Sequence, residues 1–270
     1  MLEISDKEFV QIADYIKRHF GIHLNKEKKA LVSGRLSNLL QSLNMSSFSE
    51  YLDYIMKDRT GEAARTFINR MTTNHTYFMR EEDHFHFFSK HVLPELRSMV
   101  KDRDLRIWSA GCSTGEEPYT LAMLIDEYLG NEKAMWDAKL LATDISDQVL
   151  RKAANGIYTS ESIAQVPQKW RLSYFKYNGG QHYEVIERIK QEVIFRRFNL
   201  MDRFPFRRKF HVIFCRNVMI YFDEKTKNEL LEKFYDALEP HGYLFIGHSE
   251  TINRQASRFR YVMPAVYRKE

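Results

Sequence analysis

Cysteine is scarce in this chain of 270 residues. Its two cysteines, Cys112 and Cys215, lie far apart and form no Cys-x-x-Cys pair, which fits a reducing, cytoplasmic setting better than a disulfide framework. No run approaches the roughly 18–20 apolar residues that a membrane-spanning helix needs, so we expect no membrane insertion. The first eight residues show no basic region followed by an apolar core, so we predict no secretory signal and a cytoplasmic location.

Internal repeats and low-complexity segments are also missing. The hydrophobic content of 44% and the charged content of 29% are typical of a globular protein, whose length allows one large domain or two small ones. The net charge of +5 is concentrated, because residues 187–210 carry eight Lys or Arg against three Asp or Glu. This segment is either a solvated basic surface on a small β element or a docking patch for an acidic protein or nucleic acid.

The first ninety residues have the pattern of helices joined by short loops. Ser5–Glu8 and Ser47–Glu50 each match a capping box. Gly21 can end the first helix, and Asn25 can cap the second. Apolar residues then recur at helical spacing, namely Phe9, Ile12, Ile16 and Phe20; Leu31, Leu36, Leu39 and Leu43; Tyr51, Leu52, Ile55 and Met56; and Phe67, Ile68 and Met71. We predict a small all-α domain over residues 1–85.

After about residue 90, strand and helix patterns alternate, which predicts an α/β domain over residues 86–270 with a parallel sheet. The strand candidates are Leu105–Ala110, Lys139–Thr143, Val212–Cys215, Tyr243–Ile246 and a closing pair within Phe259–Tyr267. One stretch breaks this rhythm, since Asn178-Gly-Gly180 is a turn signal. We predict antiparallel strands in Tyr183–Ile189 and Val193–Phe198, and a small β insertion at about residues 176–198.

The loop after the first strand candidate carries glycines at 111 and 115. Glycine allows a tight turn and a close approach of a ligand to the backbone. The loop matches neither G-x-G-x-x-G nor a Walker A sequence, and it has no lysine to bind phosphate. Glu116 and Glu117 open the following helix, where they would repel a pyrophosphate. The pattern therefore favours a nucleoside ligand with a cationic or hydroxyl-rich part.

Asp144 follows the second strand candidate, where an acidic residue can bind both ribose hydroxyls of a nucleoside. The alternative is a solvated aspartate at a strand end. Together with the phosphate-poor loop, Asp144 lowers the case for NAD or ATP and raises that for S-adenosylmethionine, whose methionine part is cationic.

Two further stretches bring polar groups to strand or domain ends. Arg216, Asn217 and Tyr221 follow the third strand candidate, where ligands of open α/β sheets collect. Arg216 could instead pair with a local acid, and Tyr221 could merely pack. The stretch Thr72–Glu81, at the seam between the two predicted domains, is aromatic but also carries donors. The histidines at 84, 86 and 91 form no His-x-x-x-His pair, so we predict no metal site.

Taken together, five motifs give a specific resemblance. They are Met71–Glu81, Trp108–Tyr119, Ala142–Ile145, Phe214–Phe222 and Gly247–Glu250. In this order, over essentially the whole chain, they closely resemble the CheR-type chemotaxis receptor methyltransferases. The resemblance implies a Rossmann-like S-adenosylmethionine-dependent methyltransferase sheet, with a small N-terminal all-α domain and an inserted antiparallel β subdomain. It also implies methylation of glutamate side chains on the cytoplasmic helices of chemoreceptors, with S-adenosylhomocysteine as the product.

Site residues follow from the same resemblance. It implies a cofactor site formed by Asn74, Thr76, Arg80, Glu117, Asp144, Asn199, Leu200, Arg216 and Asn217. Arg80 and Tyr221 would lie closest to the transferred methyl group and are the catalytic candidates. Lys29 and Arg35 on the second helix would contact the receptor.

The chain also departs from parts of the family pattern. The loop within Lys176–Glu184 is about three residues shorter than in members that bind a receptor's C-terminal pentapeptide, so docking of such a tail is doubtful. The second helix has Asn38, Leu39 and Gln41 where some relatives carry more arginines. Recognition of the receptor through that helix is therefore expected to be weaker or tuned to other receptors.

Two other functions compete with this interpretation. A nucleic-acid methyltransferase would fit the basic segment and Cys215, but the Asn-Pro-Pro-Tyr type signature of amino-group methylation is absent where Arg216-Asn-Val occurs. A non-catalytic signalling or cofactor-sensing module would be expected to lose some of Arg80, Asp144 and Tyr221. We therefore expect no nucleic-acid partner, and we expect a monomer.

Overall fold

The computed structural model of the protein describes residues 2–253 and 257–270. Its helices are α1 (Asp6–Phe20), α2 (Lys29–Ser42), α3 (Phe48–Lys57), α4 (Glu62–Met71), α5 (Glu82–Phe87), α6 (Leu93–Met99), α7 (Glu116–Leu129), α8 (Asp147–Asn155), α9 (Gln168–Tyr174), α10 (Glu187–Lys190) and α11 (Glu224–Ala237). Its strands are β1 (Ile107–Ala110), β2 (Leu140–Asp144), β3 (Ile157–Thr159), β4 (Phe175–Tyr177), β5 (His182–Val185), β6 (Val193–Arg197), β7 (Phe210–Cys215), β8 (Leu238–Ile246), β9 (Phe259–Met263) and β10 (Val266–Lys269). A π-helical turn, Phe88–Val92, joins α5 to α6.

Helices α1 to α4 form the predicted all-α part with its own apolar core. The capping box at Ser5 and Glu8 is present, and Gly21 ends α1 in the left-handed region at φ +73°. Glu8 also accepts hydrogen bonds from the backbone N–H groups of Phe48 and Ser49, at 2.9 and 3.2 Å, so one carboxylate joins the starts of α1 and α3.

Some local details of these helices differ from the predictions. Ser47 caps α3 through Glu50 N–H, but the Glu50 carboxylate bonds to Ser46 instead of Ser47, so the second capping box is incomplete. Asn25 makes no side-chain cap; it precedes a 3₁₀ turn at Lys26–Lys28 that leads into α2. The buried stripe of α2 is Val32, Leu36 and Leu40, whereas Leu31 and Leu43 are exposed. Of the other two predicted positions, Leu36 is buried and Leu39 packs partly buried against the same core.

The predicted α/β fold is confirmed by a seven-stranded sheet in the order β6-β2-β1-β7-β8-β10-β9. The first five strands are parallel to their neighbours, and β10 and β9 extend the sheet in antiparallel pairs. Apolar cores lie on both faces of this sheet. Because β2, β1 and β7 are parallel neighbours, the loops after their carboxyl ends meet at one edge of the sheet.

The prediction of an antiparallel strand over Val193–Phe198 is wrong. Strand β6 pairs in parallel with β2, from Leu140 opposite Val193 to Asp144 opposite Arg197, and so belongs to the central sheet. The small antiparallel sheet has the order β3-β5-β4 and begins at Ile157, well before the predicted start at 176. Within the predicted strand Tyr183–Ile189, β5 ends at Val185 and α10 begins at Glu187. The turn signal at 178–180 correctly predicts the hairpin of β4 and β5. The pairing of β6 with β2 joins residues about fifty positions apart, and no local sequence pattern indicates it.

The helical part docks on the α/β part next to the ends of β7 and β6. Ile22 forms an antiparallel bridge with Phe222, and His23 N–H donates to the Tyr221 carbonyl at 2.8 Å. Lys17 pairs with Asp223 at 2.6 Å. The two parts thus share a seam lined by backbone and charged contacts. The domain boundary after residue 85 stays a prediction.

The basic segment 187–210 does not form one isolated patch of charge. Four of its cations, Arg188, Lys190, Arg197 and Arg208, form ion pairs with acids elsewhere in the chain. Half of its positive charge is therefore offset, which favours the interpretation as a solvated surface. In the part of the chain that the structure describes, no helix is long and apolar enough to cross a membrane.

Candidate functional site

A cavity of about 500 Å³ lies where the helical part meets the carboxyl ends of β1, β2 and β7. Its volume is within the range of small-molecule sites. All nine residues predicted to bind the cofactor line it, as do Tyr221 and Arg35. The structure therefore brings together residues that are spread from position 35 to position 221 in the sequence.

The glycine loop after β1 closes one side of the cavity. Gly111 and Cys112 donate backbone hydrogen bonds to the Thr143 carbonyl at 2.7 and 2.9 Å, which folds the loop over the end of β2. Gly111 has φ +86°, and a Cβ there would lie 2.4 Å from Val218 Cγ2. A side chain at 111 would therefore push the loops after β1 and β7 apart.

Asp144 lies buried at the end of β2 and faces this cavity. Its Oδ2 accepts the Ser113 N–H and its Oδ1 accepts the Ser146 N–H, both at 2.9 Å. Burial raises the pKa of Asp144, while the backbone donors act in the opposite direction. These two bonds fix the carboxylate and leave further lone pairs on each oxygen. The alternative of a solvated aspartate is wrong, because the residue is 9% exposed.

Arg216, just after β7, forms a buried ion triad. Its Nη1 bonds Glu117 Oε2 at 3.1 Å, and its Nη2 bonds Glu81 Oε2 at 3.1 Å. Glu117 also accepts the Ser109 hydroxyl at 2.7 Å. Burial raises the pKa of Glu117 against the opposing effect of Arg216. Arg216 thus both pairs with acids, as the alternative interpretation held, and lines the cavity.

Glu81 is the main residue that sequence reasoning missed. Burial acts to raise the pKa of Glu81, but Arg216 and Asn217 together hold it below its ordinary value. Its backbone has φ +57°, which is uncommon for a residue with a side chain. Glu81 directly follows Arg80 inside the motif Met71–Glu81, and this position is the signal that could have identified it. No sequence pattern links Glu81 to Arg216, which lies 135 positions later at the end of β7.

Asn217 is held from two sides. Its Nδ2 donates to Glu81 Oε1 at 3.2 Å, and its N–H donates to Glu250 Oε2 at 2.9 Å. Glu250 is buried and also accepts the N–H groups of Ile220 and Gly247. Glu250 belongs to the motif Gly247–Glu250, but no sequence pattern predicted a role for it. It fixes the loop that carries Asn217 and Tyr221.

The two catalytic candidates are Arg80 and Tyr221. Arg80 donates from Nη1 to the His75 carbonyl at 2.7 Å, and its guanidinium lies 6.0 Å from the Tyr77 ring centre. Tyr221 accepts the His23 N–H with its backbone carbonyl at 2.8 Å, so that contact does not use its hydroxyl. Both are half-buried and both line the cavity, so a second reactant could meet them there.

The remaining predicted residues serve the rim and the seam. Asn199 donates from Nδ2 to the His19 carbonyl at 2.8 Å, and buried Leu200 follows it. Asn74 and Thr76 lie on the linker after α4, and Asn74 is exposed. Arg35 donates to Thr73 Oγ1 at 2.6 Å and to the Met71 carbonyl, which holds that linker at the cavity. Lys29 instead pairs with Asp6 and does not line the cavity.

The donors and acceptors of this cavity fit an S-adenosyl nucleoside. Asp144 offers carboxylate oxygens suited to ribose hydroxyls. Glu117 adds negative charge suited to a cationic group. The loop that would cradle a pyrophosphate carries no lysine and two glutamates. The cavity is thus suited to a phosphate-free, cationic nucleoside.

Comparison with known proteins finds matches over nearly the whole chain. Residues 7–72 match the family model described as "CheR methyltransferase, all-alpha domain", and residues 74–267 match that described as "CheR methyltransferase, SAM binding domain". The chain is 43% identical to a chemotaxis protein methyltransferase of Borreliella burgdorferi, covering 99% of this chain and 96% of the relative. It is 38% identical to chemotaxis protein methyltransferase 2 of Pseudomonas aeruginosa, over 97% and 92%. The Escherichia coli chemotaxis protein methyltransferase is 37% identical, over 98% and 92%.

Proposed function

We propose that this chain, which belongs to the CheR methyltransferase family, methylates glutamate side chains on the cytoplasmic helices of chemotaxis receptors. The observation that carries the proposal is the match to chemotaxis protein methyltransferases over both the helical part and the α/β part. Family membership makes S-adenosylmethionine the cofactor, in agreement with the chemistry of the cavity.

A glutamate acceptor needs little acid–base help from the protein. Its carboxyl group has a reference pKa of about 4.3, so it is an anion and a nucleophile at neutral pH. S-adenosylmethionine supplies a methyl group bonded to a positively charged sulfur. The protein's task is then to align the acceptor with that methyl group and to exclude water.

Arg80 and Tyr221 are suited to the alignment. The Arg80 guanidinium keeps donors beyond the one that binds His75, and these can orient the acceptor carboxylate. Too tight an ion pair would lower the nucleophilicity of that carboxylate, and the half-exposed position of Arg80 moderates the pairing. Tyr221 can donate its hydroxyl to the acceptor or present its ring to the sulfonium.

Other cavity residues hold the site in shape. Asp144 and Glu117 would bind the ribose and the cationic part of the cofactor. Arg216 and Asn217 fix the loop after β7 through Glu81. Phe85, Phe198 and Phe222 give the lining an apolar character, which favours a reaction in which opposite charges disperse. We propose that Arg35, at the rim, contacts the receptor.

Methyl transfer to receptor fragments tests the proposal. We expect labelled methyl groups to pass from S-adenosylmethionine to a receptor cytoplasmic domain, and transfer to be lost when its acceptor glutamates are replaced by alanine. Transfer to RNA and not to any receptor fragment would overturn the assignment. Cofactor binding without transfer to any fragment would favour a non-catalytic module.

Receptor fragments with and without their C-terminal tails test tail docking separately. We propose that transfer is independent of the tail, because β4 and β5 are joined by the short connection 178–181. A requirement for the tail would contradict the inference from this short loop without affecting the proposed acceptor.

A further inference from the structure

A cluster of possible metal ligands shares Glu81 with the Arg216 triad, and its residues do not line the cofactor cavity. Glu81, His84 and His248 each offer one ligand atom, and these atoms lie within 4.8 Å of one another. The three residues come from the linker after α4, from α5 and from the loop after β8. Neither His84 nor His248 lines the cavity, and the reaction described above uses neither.

His84 is the unusual member of this cluster. Its side chain is fully buried, yet neither ring nitrogen has a hydrogen-bond partner. Burial of an unpaired polar atom is unfavourable, so native proteins avoid it unless the atom has a function or an unseen partner. The Nδ1 of His84 lies 3.5 Å from Glu81 Oε2. That spacing is close to the roughly 3.4 Å between two ligand atoms in a tetrahedral site with metal–ligand bonds of about 2.1 Å.

His248 has the partner expected of a metal-binding histidine. Its Nε2 lies 3.1 Å from Asp83 Oδ2, which leaves Nδ1 available. Metal-bound histidines commonly give their second ring nitrogen to a carboxylate in this way, which fixes the ring and strengthens the ligand. The His248 ring centre is 4.6 Å from that of His84, so the two imidazoles are close neighbours.

The local charge also favours a cation. Glu81 and Asp83 place two carboxylates beside the histidines, and the Arg216 guanidinium pairs with one of them, Glu81. Two imidazoles and one carboxylate, with an open fourth position, form a ligand set suited to Zn²⁺ and poorly suited to Mg²⁺ or Ca²⁺.

We propose that Glu81, His84 and His248 form a Zn²⁺ site whose occupation competes with Arg216 for the Glu81 carboxylate. Glu81 Oε2, the oxygen nearest His84, is the one that accepts from Arg216 Nη2. A bound Zn²⁺ weakens that bond and loosens Arg216 and Asn217, which line the cofactor cavity. Metal and cofactor therefore each lower the affinity of the other, because coupling between two sites is reciprocal. The site is independent of the methyl acceptor.

Calorimetric titration of the full-length protein tests the site. The protein is freed of affinity tags and metals and titrated with ZnCl₂, beside His248→Ala and the matched control His86→Ala. His86 lies on α5 with His84, is 57% exposed and pairs with Glu82 outside the cluster. We expect one Zn²⁺ per chain for the wild type and His86→Ala, and at least about tenfold weaker binding for His248→Ala. Because the His248 side chain is 42% exposed, we expect His248→Ala to fold, so weaker Zn²⁺ binding would report loss of the ligand.

Three results would overturn the proposal. The first is no saturable Zn²⁺ binding by the wild type, and the second is equal Zn²⁺ affinity of the wild type and His248→Ala. The third is an unchanged affinity for S-adenosylhomocysteine at saturating Zn²⁺, where we expect several-fold weaker binding. Both readouts are binding constants, so they are decided separately from methyl transfer to any acceptor.

Discussion

At the scale of single residues, the Arg216 triad combines stability with site geometry. A buried ion pair can contribute little relative to apolar packing, but removal of one partner leaves a buried charge without compensation. We predict that Arg216→Ala lowers the free energy of unfolding by about 3–5 kcal/mol, because Glu81 and Glu117 lose their common partner. Urea denaturation measures this. Arg80→Ala is the matched control and should cost less than about 1 kcal/mol; equal losses would contradict the prediction.

Replacement of Asp144 should weaken cofactor binding, whereas replacement of the catalytic candidates should slow the chemical step. We predict that Asp144→Ala weakens cofactor binding by about 10- to 100-fold, as expected for loss of hydrogen bonds to a charged group. Calorimetric titration with S-adenosylhomocysteine measures this. An unchanged affinity of Asp144→Ala for S-adenosylhomocysteine would contradict the assignment of Asp144 to the ribose.

Arg80 and Tyr221 should show the opposite behaviour. We predict that Arg80→Ala and Tyr221→Phe lower the rate of methyl transfer by about tenfold or more, with a smaller effect on cofactor affinity. Single-turnover assays at saturating cofactor measure the rate. A normal rate with weakened cofactor binding would move both residues from the acceptor to the cofactor.

At the scale of elements, the residue that caps α11, Asp223, also joins the helical part to the α/β part. Asp223 accepts the Thr226 N–H at 3.0 Å and pairs with Lys17 of α1. We predict that Asp223→Ala lowers the free energy of unfolding by about 1 kcal/mol at pH 7, the usual value of an N-cap. Thermal unfolding measures this. Glu224→Ala, at an exposed position of the same turn, should have little effect.

The contribution of Asp223 should depend on pH in one direction. Hydrogen bonds from Lys17 and Thr226 hold the pKa of Asp223 below its ordinary value of 3.8. A folded-state pKa below the unfolded one adds stability above pH 3.8, which is lost as the pH falls toward the folded value. We predict that the difference between wild type and Asp223→Ala is constant from pH 5 to 7 and shrinks below about pH 4. A difference that grows on acidification would contradict this.

Element types were largely predictable, and strand partners were not. The caps at Ser5 and Asp223 and the end of α1 at Gly21 depend on residues three or four positions apart, so the pattern contains them. Strand β6 has the apolar content that fits either sheet. Its parallel pairing with β2 depends on how the intervening segment, with α8 and the small sheet, folds back to the central sheet. No local sequence pattern predicts that course of the chain.

At the scale of the whole molecule, the cavity lies between two separately packed parts. Residues of the helical part, such as Phe20 and Arg35, line it together with loops of the α/β part. A ligand that fills it should therefore stabilise both. We predict that S-adenosylhomocysteine slows amide hydrogen exchange around His23 as well as around Ser113 and Asn217. Mass spectrometry of exchanged peptides measures this, and protection confined to residues after 100 would contradict it.

The sequence by itself predicted the class of fold, the order of most elements and eleven of the residues that line the cavity. It did so because capping, backbone freedom at glycine and hydrophobic period act over a few residues, and because the five motifs carry a family resemblance. Tertiary structure alone decided that Glu81 binds Arg216, that Lys29 points to Asp6 and away from the cavity, and that β6 joins the central sheet. These contacts depend on which distant segments meet after packing, and that is a property of the folded chain as a whole.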